Sequence, residues 1–158
     1  MRLYFLRHGR ADRSAWSGPD DLRPLTPDGM ERMERSAVRI GKLDLGLDVI
    51  LTSPLTRALQ TAEIVAAELD LVDRLVVDER LGPGFHPRHV ADFLEEYPEA
   101  DTMMFVGHEP SFSETISYLI GGGEVVCKKG SLIRVDLTDA GHLSGELIWL
   151  LPPKVLAS

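Results

Sequence analysis

Leu3-Tyr4-Phe5-Leu6-Arg7-His8-Gly9 opens the chain and decides its fold. The four apolar residues are too few for a helix and read as a buried strand. The strand stops abruptly at an arginine, an imidazole and a glycine. The same arrangement recurs twice. Val49-Ile50-Leu51 runs into Thr52-Ser53-Pro54-Leu55-Thr56-Arg57-Ala58, and Thr102–Val106 runs into Gly107-His108-Glu109-Pro110. In these two segments a helix start follows at once, marked by Pro54 and by Pro110.

The remaining elements fill in around these three. Residues 10–24 have no steady period and many turn formers, which predicts a long surface loop. Thr26-Pro27 is a helix start with Met30, Met33, Ala37 and Ile40 as its inner face and Gly41 as its stop. Leu55, Ala58, Leu59, Ala62 and Val65 line one side of a second helix. Leu71–Val77 is a third strand interrupted by Asp73 and Arg74, and Pro87 opens a helix with Val90, Phe93, Leu94 and Tyr97 inward. Phe112, Ile116, Leu119 and Ile120 belong to a helix closed by Gly121-Gly122-Gly123. Met103 and Met104 are neighbours in a strand, so they face opposite sides. Residues 132–137 and 146–150 then read as two strands in succession, a hairpin or neighbours at one end of the sheet. Alternating strands and helices followed by paired strands predict an α/β/α sandwich of three layers. Its sheet is mostly parallel with an antiparallel strand, and residues 1–158 form one domain.

Charge narrows the function classes. The 158 residues carry 17 Lys and Arg against 25 Asp and Glu, a net charge of −8, with 44% hydrophobic and 27% charged residues. That composition is globular, and the sign of the charge argues against a nucleic-acid partner. Residues 1–60 hold 10 basic and 8 acidic side chains, whereas residues 61–158 hold 7 and 17, so the acid is confined to the later part. No apolar run approaches a membrane span, which predicts no membrane association. The first six residues are too short for a signal peptide, so a cytoplasmic protein is expected. The single Cys127 excludes an internal disulfide, and a monomer is expected for want of an interface signature.

Parallel strands bring their carboxyl ends to one edge, where ligands of α/β sheets bind. There Arg7, Arg57, His8 and His108 would converge, beside helix N-termini that favour an anion. Two guanidinium groups grip phosphate oxygens, and a neutral imidazole is a nucleophile able to form a covalent intermediate. Together they suit phosphoryl transfer. The alternative, that each is a surface salt-bridge partner or a satisfied edge histidine, holds for any one residue better than for all four at strand ends.

These residues carry a resemblance. Leu6-Arg7-His8-Gly9 is similar to the signature of the histidine phosphatase superfamily, the phosphoglycerate-mutase-like fold. Ser53 through Ala62 resembles its second motif, and Gly107-His108-Glu109-Pro110 its third. The resemblance implies that His8 is the nucleophile, that Arg7, Arg57 and His108 bind the phosphoryl group, and that no metal or other cofactor is needed. The short length and Arg23-Pro24-Leu25-Thr26-Pro27-Asp28-Gly29 resemble SixA-type phosphohistidine phosphatases, which implies a phosphohistidine-bearing phosphotransfer or phosphocarrier protein as partner. Arg23 either lines the mouth of the site or braces the loop; Arg10, Arg13 and Trp16 either contact substrate or, for the arginines, face solvent while the aromatic ring packs down. Glu79 is the leading general-acid candidate, although the second Glu-Gly pair of mutase-like members is missing after it. That loss favours a nitrogen–phosphorus substrate, whose imidazole leaves without an acid, over a sugar phosphate or a mutase reaction. Two rivals stand beside this reading: a small-molecule phosphomonoesterase using Glu79 as acid, and a non-catalytic phosphoprotein-binding module.

The other histidines fit less well. His86 and His89 stand three apart without a recognisable ligand set, so a rim role for His86 or a solvated helix start is expected before a metal site. His142 falls in a turn. Cys127 precedes Lys128-Lys129, yet packing is the simpler expectation for it.

Overall fold

A computed structural model describes residues 1–158, the side chain of Ala15 excepted. Six strands form one sheet: β1 (Arg2–Arg7), β2 (Val49–Thr52), β3 (Leu75–Val77), β4 (Thr102–Gly107), β5 (Leu132–Asp139) and β6 (Ser144–Leu151). Their spatial order is β3-β2-β4-β1-β5-β6. The first four run parallel to one another; β5 is antiparallel to both β1 and β6, with which it forms the hairpin. The helices are α1 (Pro27–Lys42), α2 (Thr56–Glu68), α3 (Pro87–Glu96), α4 (Ser111–Leu119) and a single-turn α5 (Pro153–Leu156).

Strand alternation sorts the core into two layers. Leu3, Phe5, Leu51, Met103 and Phe105 pack on one face with Val90 and Phe93 of α3 and Phe112 and Ile116 of α4. Tyr4, Leu6, Ile50, Met104 and Val106 pack on the other with Met33, Ala37 and Ile40 of α1, Ala58, Ala62 and Val65 of α2 and Leu156 of α5. Met103 and Met104 thus occupy opposite faces, as the period of a strand requires. This is the three-layer α/β/α sandwich of the phosphoglycerate-mutase-like fold.

Local differences from the sequence reading have physical causes. Thr26 caps α1, its hydroxyl accepting from Gly29 N at 2.9 Å, but Gly41 does not stop the helix. The chain continues to Lys42 and reverses at Asp44 (φ 50°) and Gly46 (φ 64°), whose left-handed backbones end it. Met30 shares the stripe of Met33, Ala37 and Ile40 but lies in the first turn of α1 and is 37% exposed. Residues Val72–Arg74 turn as a short 3-10 helix, so β3 is shortened to three residues. The C-terminal turn α5 falls outside any element read from the sequence.

Candidate active site

Register brings the three motifs together. Arg7 pairs with Gly107, and Thr52 with Val106, so β1, β2 and β4 end level with one another. Backbone hydrogen bonds hold the residues just beyond: His8 N donates to Gly107 O at 3.1 Å, and Ser53 N to Val106 O at 3.0 Å. Gly107 is compelled by packing, since a Cβ there would lie 2.9 Å from Phe112 Cζ and 3.0 Å from Leu81 O. Gly9 serves a similar end. The room left by its missing side chain is filled by Met33 Cγ, 2.7 Å from where a Cβ would stand, so it admits α1 rather than an anion.

His8, Arg7, Arg57 and His108 all line one cavity of about 670 Å³ at this edge. His8 is 5% exposed and its Nδ1 lies 2.7 Å from Gly9 O. A carbonyl only accepts, so Nδ1 carries the proton and Nε2 keeps its lone pair. Burial lowers the His8 pKa from 6.5 to about 3, opposed by the Gly9 hydrogen bond and assisted by the charges of His108, Arg57 and Arg7. The His108 ring lies 5.3 Å from that of His8, and burial followed by the charges of Arg57 and Arg7 lowers its pKa to about 4. Both rings are neutral near pH 7.

The His108 ring is oriented by its neighbour. Ser53 Oγ accepts from Leu55 N at 3.2 Å and lies 2.8 Å from His108 Nε2. When the Ser53 hydroxyl hydrogen is directed to Nε2, the His108 proton sits on Nδ1. That Nδ1 is buried without a partner, as are Arg7 Nε and Arg57 Nε. Buried polar nitrogens are rarely left unpaired, and these three belong to residues lining the same cavity as His8. The set suits an oxyanion with several oxygens.

The guanidinium groups are aimed by fixed contacts. Arg7 Nη1 donates to Cys127 O at 2.9 Å. Arg57 donates to Asp20 twice, Nη1 to the backbone oxygen at 3.0 Å and Nη2 to Oδ2 at 3.3 Å. The other oxygen of Asp20 accepts from Arg23 Nε at 3.2 Å, and Arg23 Nη1 also donates to Ala11 O. Arg23 is 6% exposed. It lines the cavity and braces the loop together, so the two roles weighed for it coexist. Asp20 sits in a short 3-10 turn preceded by Pro19, whose oxygen accepts from Trp16 Nε1 at 2.8 Å. Gly18 lets the indole lie flat over the backbone, for a Cβ there would be 2.6 Å from the ring. The loop 10–24 is therefore built around Asp20.

Thr61 ties the first two motifs to each other. Fully buried, its hydroxyl accepts from Gly9 N at 3.1 Å and donates to Arg57 O at 2.7 Å.

Other candidates fall outside this group. Arg13 is exposed on the cavity rim. Glu79 is exposed and does not line the cavity: Asp78 caps the 3-10 turn by accepting from Arg80 N and pairs with Arg80, turning Glu79 outward. The acid candidate placed by its spacing after β3 thus stands outside the cavity, and the glutamate on the cavity wall is Glu109. His86 is likewise not at the rim. It caps α3, its Nδ1 accepting from Arg88 N at 3.3 Å while His89 Nδ1 accepts from His86 N at 3.0 Å. The three-residue spacing of the two histidines is thus a capping box. No cluster of three or more His, Cys, Asp or Glu placed to hold a metal occurs among the described residues. Cys127 is buried, and burial pushes its thiol pKa up to about 12. No helix among the described residues is long and apolar enough to cross a membrane. Ser53, Thr61, Asp20 and Glu109 are the contributors that sequence reasoning left without a role. Ser53 and Thr61 stood inside the quoted second motif, whereas nothing local marks Asp20.

A strand-edge cavity with a neutral buried imidazole and three unpartnered polar nitrogens suits a hydrolase that handles a phosphoryl group. The chain belongs to the histidine phosphatase superfamily (branch 1), whose description matches residues 3–117. It is 37% identical to an uncharacterized protein of Picosynechococcus over 99% of both chains. It is 26% identical to the phosphohistidine phosphatase SixA of Escherichia coli, covering 97% of this chain and 94% of that one. The solved structure of the protein histidine phosphatase SixA complexed with tungstate superposes with a TM-score of 0.87, at 24% identity over 98% of each chain. Phosphoglycerate mutases also match, but the chain covers only 43% of the one from Candida albicans.

Proposed function

We propose that this protein is a metal-independent phosphohistidine phosphatase acting on a phosphorylated protein histidine. His8 Nε2 attacks phosphorus in line with the substrate's N–P bond. That bond breaks, the imidazole departs neutral when its second nitrogen is protonated, and phospho-His8 is formed. Water then attacks phosphorus, the His8–phosphorus bond breaks, and inorganic phosphate leaves. Through both steps Arg7 Nε, Arg57 Nε and His108 Nδ1–H donate to the equatorial oxygens, where the transition state spreads its charge. His8 Nδ1–H, held by Gly9 O, accommodates the positive charge that develops on the ring.

The observation that carries this reading is the set of unpartnered polar nitrogens on residues gathered around a neutral, buried His8. Asp20 lies in the cavity but is held between two guanidinium groups; burial raises its pKa, and the Arg23 hydrogen bond with the charges of Arg57 and Arg23 outweighs this, leaving it lowered. An ionised carboxylate cannot protonate an alkoxide. A leaving imidazole needs no such acid. The likeness to SixA supports the same substrate class. A phosphomonoesterase remains the second reading because Glu109 stands on the wall, with Oε1 accepting from Ser113 N at 2.7 Å and its other oxygen free to act.

The test is to trap labelled phosphate on the protein from a phosphohistidine phosphotransfer domain and, separately, from sugar phosphates. Label is expected on His8 from the phosphohistidine domain, and none on His8→Ala. Glu79→Ala and Glu109→Gln should leave that turnover nearly unchanged. Turnover dominated by esters and abolished in Glu109→Gln would transfer the assignment to the second reading.

A further inference from the structure

A second cavity of about 380 Å³ lies against the first, on the side of α1 and α5. Arg7, Arg10 and Lys129 line both, forming the wall between them, and Arg32 and Lys128 line only the second. Among the described residues, no carboxylate lines it. Among the described residues, none of Arg32, Lys128 and Lys129 makes a salt bridge, while Arg10 has one loose pair with Asp28 at 3.6 Å across exposed side chains. Lys129 registers the crowding: burial, then the charges of Arg7, Arg23 and Arg10, lower its pKa despite Asp12. With Arg13, Arg23 and Arg57 of the first cavity, eight of the chain's 17 basic residues gather around these two spaces, against three of its 25 acidic ones, Asp12, Asp20 and Glu109.

Solvated cations on a surface normally pair with carboxylates when a chain has acid in excess, and this chain does. Leaving four cations without an ion pair and a fifth only loosely paired in one concave space, in a protein of net charge −8, keeps an electrostatic site open for an anion supplied from outside. Its floor of Met33, Pro153 and Ala157 gives it depth for a side chain rather than a hydrated ion alone. We infer that this second cavity is a docking site for acidic side chains of the phosphorylated protein, presented beside the phosphohistidine that enters the first cavity. The inference rests on the phosphohistidine reading and adds the character of the partner. That partner carries Asp or Glu next to its phosphorylated histidine. On a helix, residues three or four apart are about 5–6 Å from one another, so a carboxylate one turn from the phosphohistidine reaches across the Arg7 wall. Outside the two cavities the chain carries 22 acidic and 9 basic side chains, an excess that disfavours an acidic partner there.

The experiment compares the wild type with Arg32→Glu/Lys128→Glu, neither residue being part of the phosphoryl cavity. Arg32→Ala/Lys128→Ala serves as the milder pair should charge reversal impair folding. Each is assayed on a phosphohistidine phosphotransfer domain with acidic flanks and on free phosphohistidine. KM for the protein should rise about tenfold or more and lose most of its salt dependence, while kcat on both substrates and KM for free phosphohistidine stay within about twofold. Equal losses on both substrates, or no loss on either, overturn the docking site. Failure of the wild type to hydrolyse either nitrogen–phosphorus substrate instead overturns the phosphohistidine reading. In that event a polyglutamate peptide is tested against whatever ester turnover exists. Competitive inhibition lost in the variants retains the acidic docking site, and absence of inhibition removes it.

Discussion

Thr61→Val removes one hydroxyl and almost no volume, which makes it a sharp test of how the nucleophile is held. In the native protein that hydroxyl accepts from Gly9 N at 3.1 Å in a fully buried setting. With valine, Gly9 N–H has no partner and no water at hand. Leaving a buried donor unsatisfied costs about 1–3 kcal/mol. The Arg57 carbonyl suffers less, because a helical carbonyl keeps its main-chain bond. A net destabilisation of about 2 kcal/mol corresponds to about 4–8 °C in Tm for a domain of this size. The functional effect should be larger than that figure suggests. The Gly9 carbonyl holds Nδ1–H of His8 at 2.7 Å and thereby fixes both the tautomer and the aim of Nε2. Loosening that peptide should reduce the rate of His8 phosphorylation by about tenfold to a hundredfold. Calorimetry and single-turnover labelling measure the two effects separately. Thr61→Ser, which keeps the hydroxyl, should recover the labelling rate to within about threefold. A Thr61→Val protein that loses stability yet labels His8 at the native rate would refute the positioning role. Serine failing to restore the rate would do so too.

Stability should also respond to pH in a defined direction. His8 and His108 have folded-state pKa values of about 3 and about 4, against 6.5 as the ordinary value. Between those limits the unfolded chain binds more protons, so stability is complete above about pH 6.5 and falls as pH drops toward 4. Tm measured from pH 7.5 to 4.5 should decline, and less steeply in His8→Gln/His108→Gln; an equal slope in that variant would contradict the assignment. Arg80→Met should cost about 1–2 kcal/mol by denaturant titration, because Arg80 pairs with Asp78 at 2.7 Å and Glu96 at 2.6 Å and lies 4.2 Å over the Phe93 ring. Activity should be unchanged, since none of these side chains reaches the cavity. His108→Ala should weaken tungstate or phosphate binding more than Ser53→Ala does, the first deleting a donor and the second only the group that orients it; binding calorimetry on both reads the order.

Much of the site was legible because its chemistry coincides with strand ends. Arg7-His8, Arg57 and His108 each follow an apolar run that only a parallel sheet accommodates, and parallel strands place such residues together by topology. The contacts that aim them were not legible. Asp20 grips Arg57 across 37 positions from a loop without period, so no local pattern announces it. Glu79 shows the opposite failure. Its distance from β3 was suggestive, but direction in a 3-10 turn depends on which neighbour caps it, and Asp78 took that position. His86 and His89 had ligand-like spacing that the helix spent on its own first N–H groups.

The chain has two tryptophans, and their surroundings make them two separate optical reporters. Trp16 is tethered through Nε1 to Pro19, the residue before Asp20, so its emission is coupled to the loop that clasps Arg57. Trp149 sits on β6 with its ring 5.7 Å from that of Tyr4, on a strand away from the cavity. An anion that takes up the Arg57 donors and shifts Asp20 alters the first emitter and leaves the second as an internal reference. In Trp149→Phe the whole signal belongs to the loop. Oxyanion arrival at the phosphoryl pocket is then visible in an unlabelled protein, on the timescale of a stopped-flow mixing experiment, without any turnover taking place.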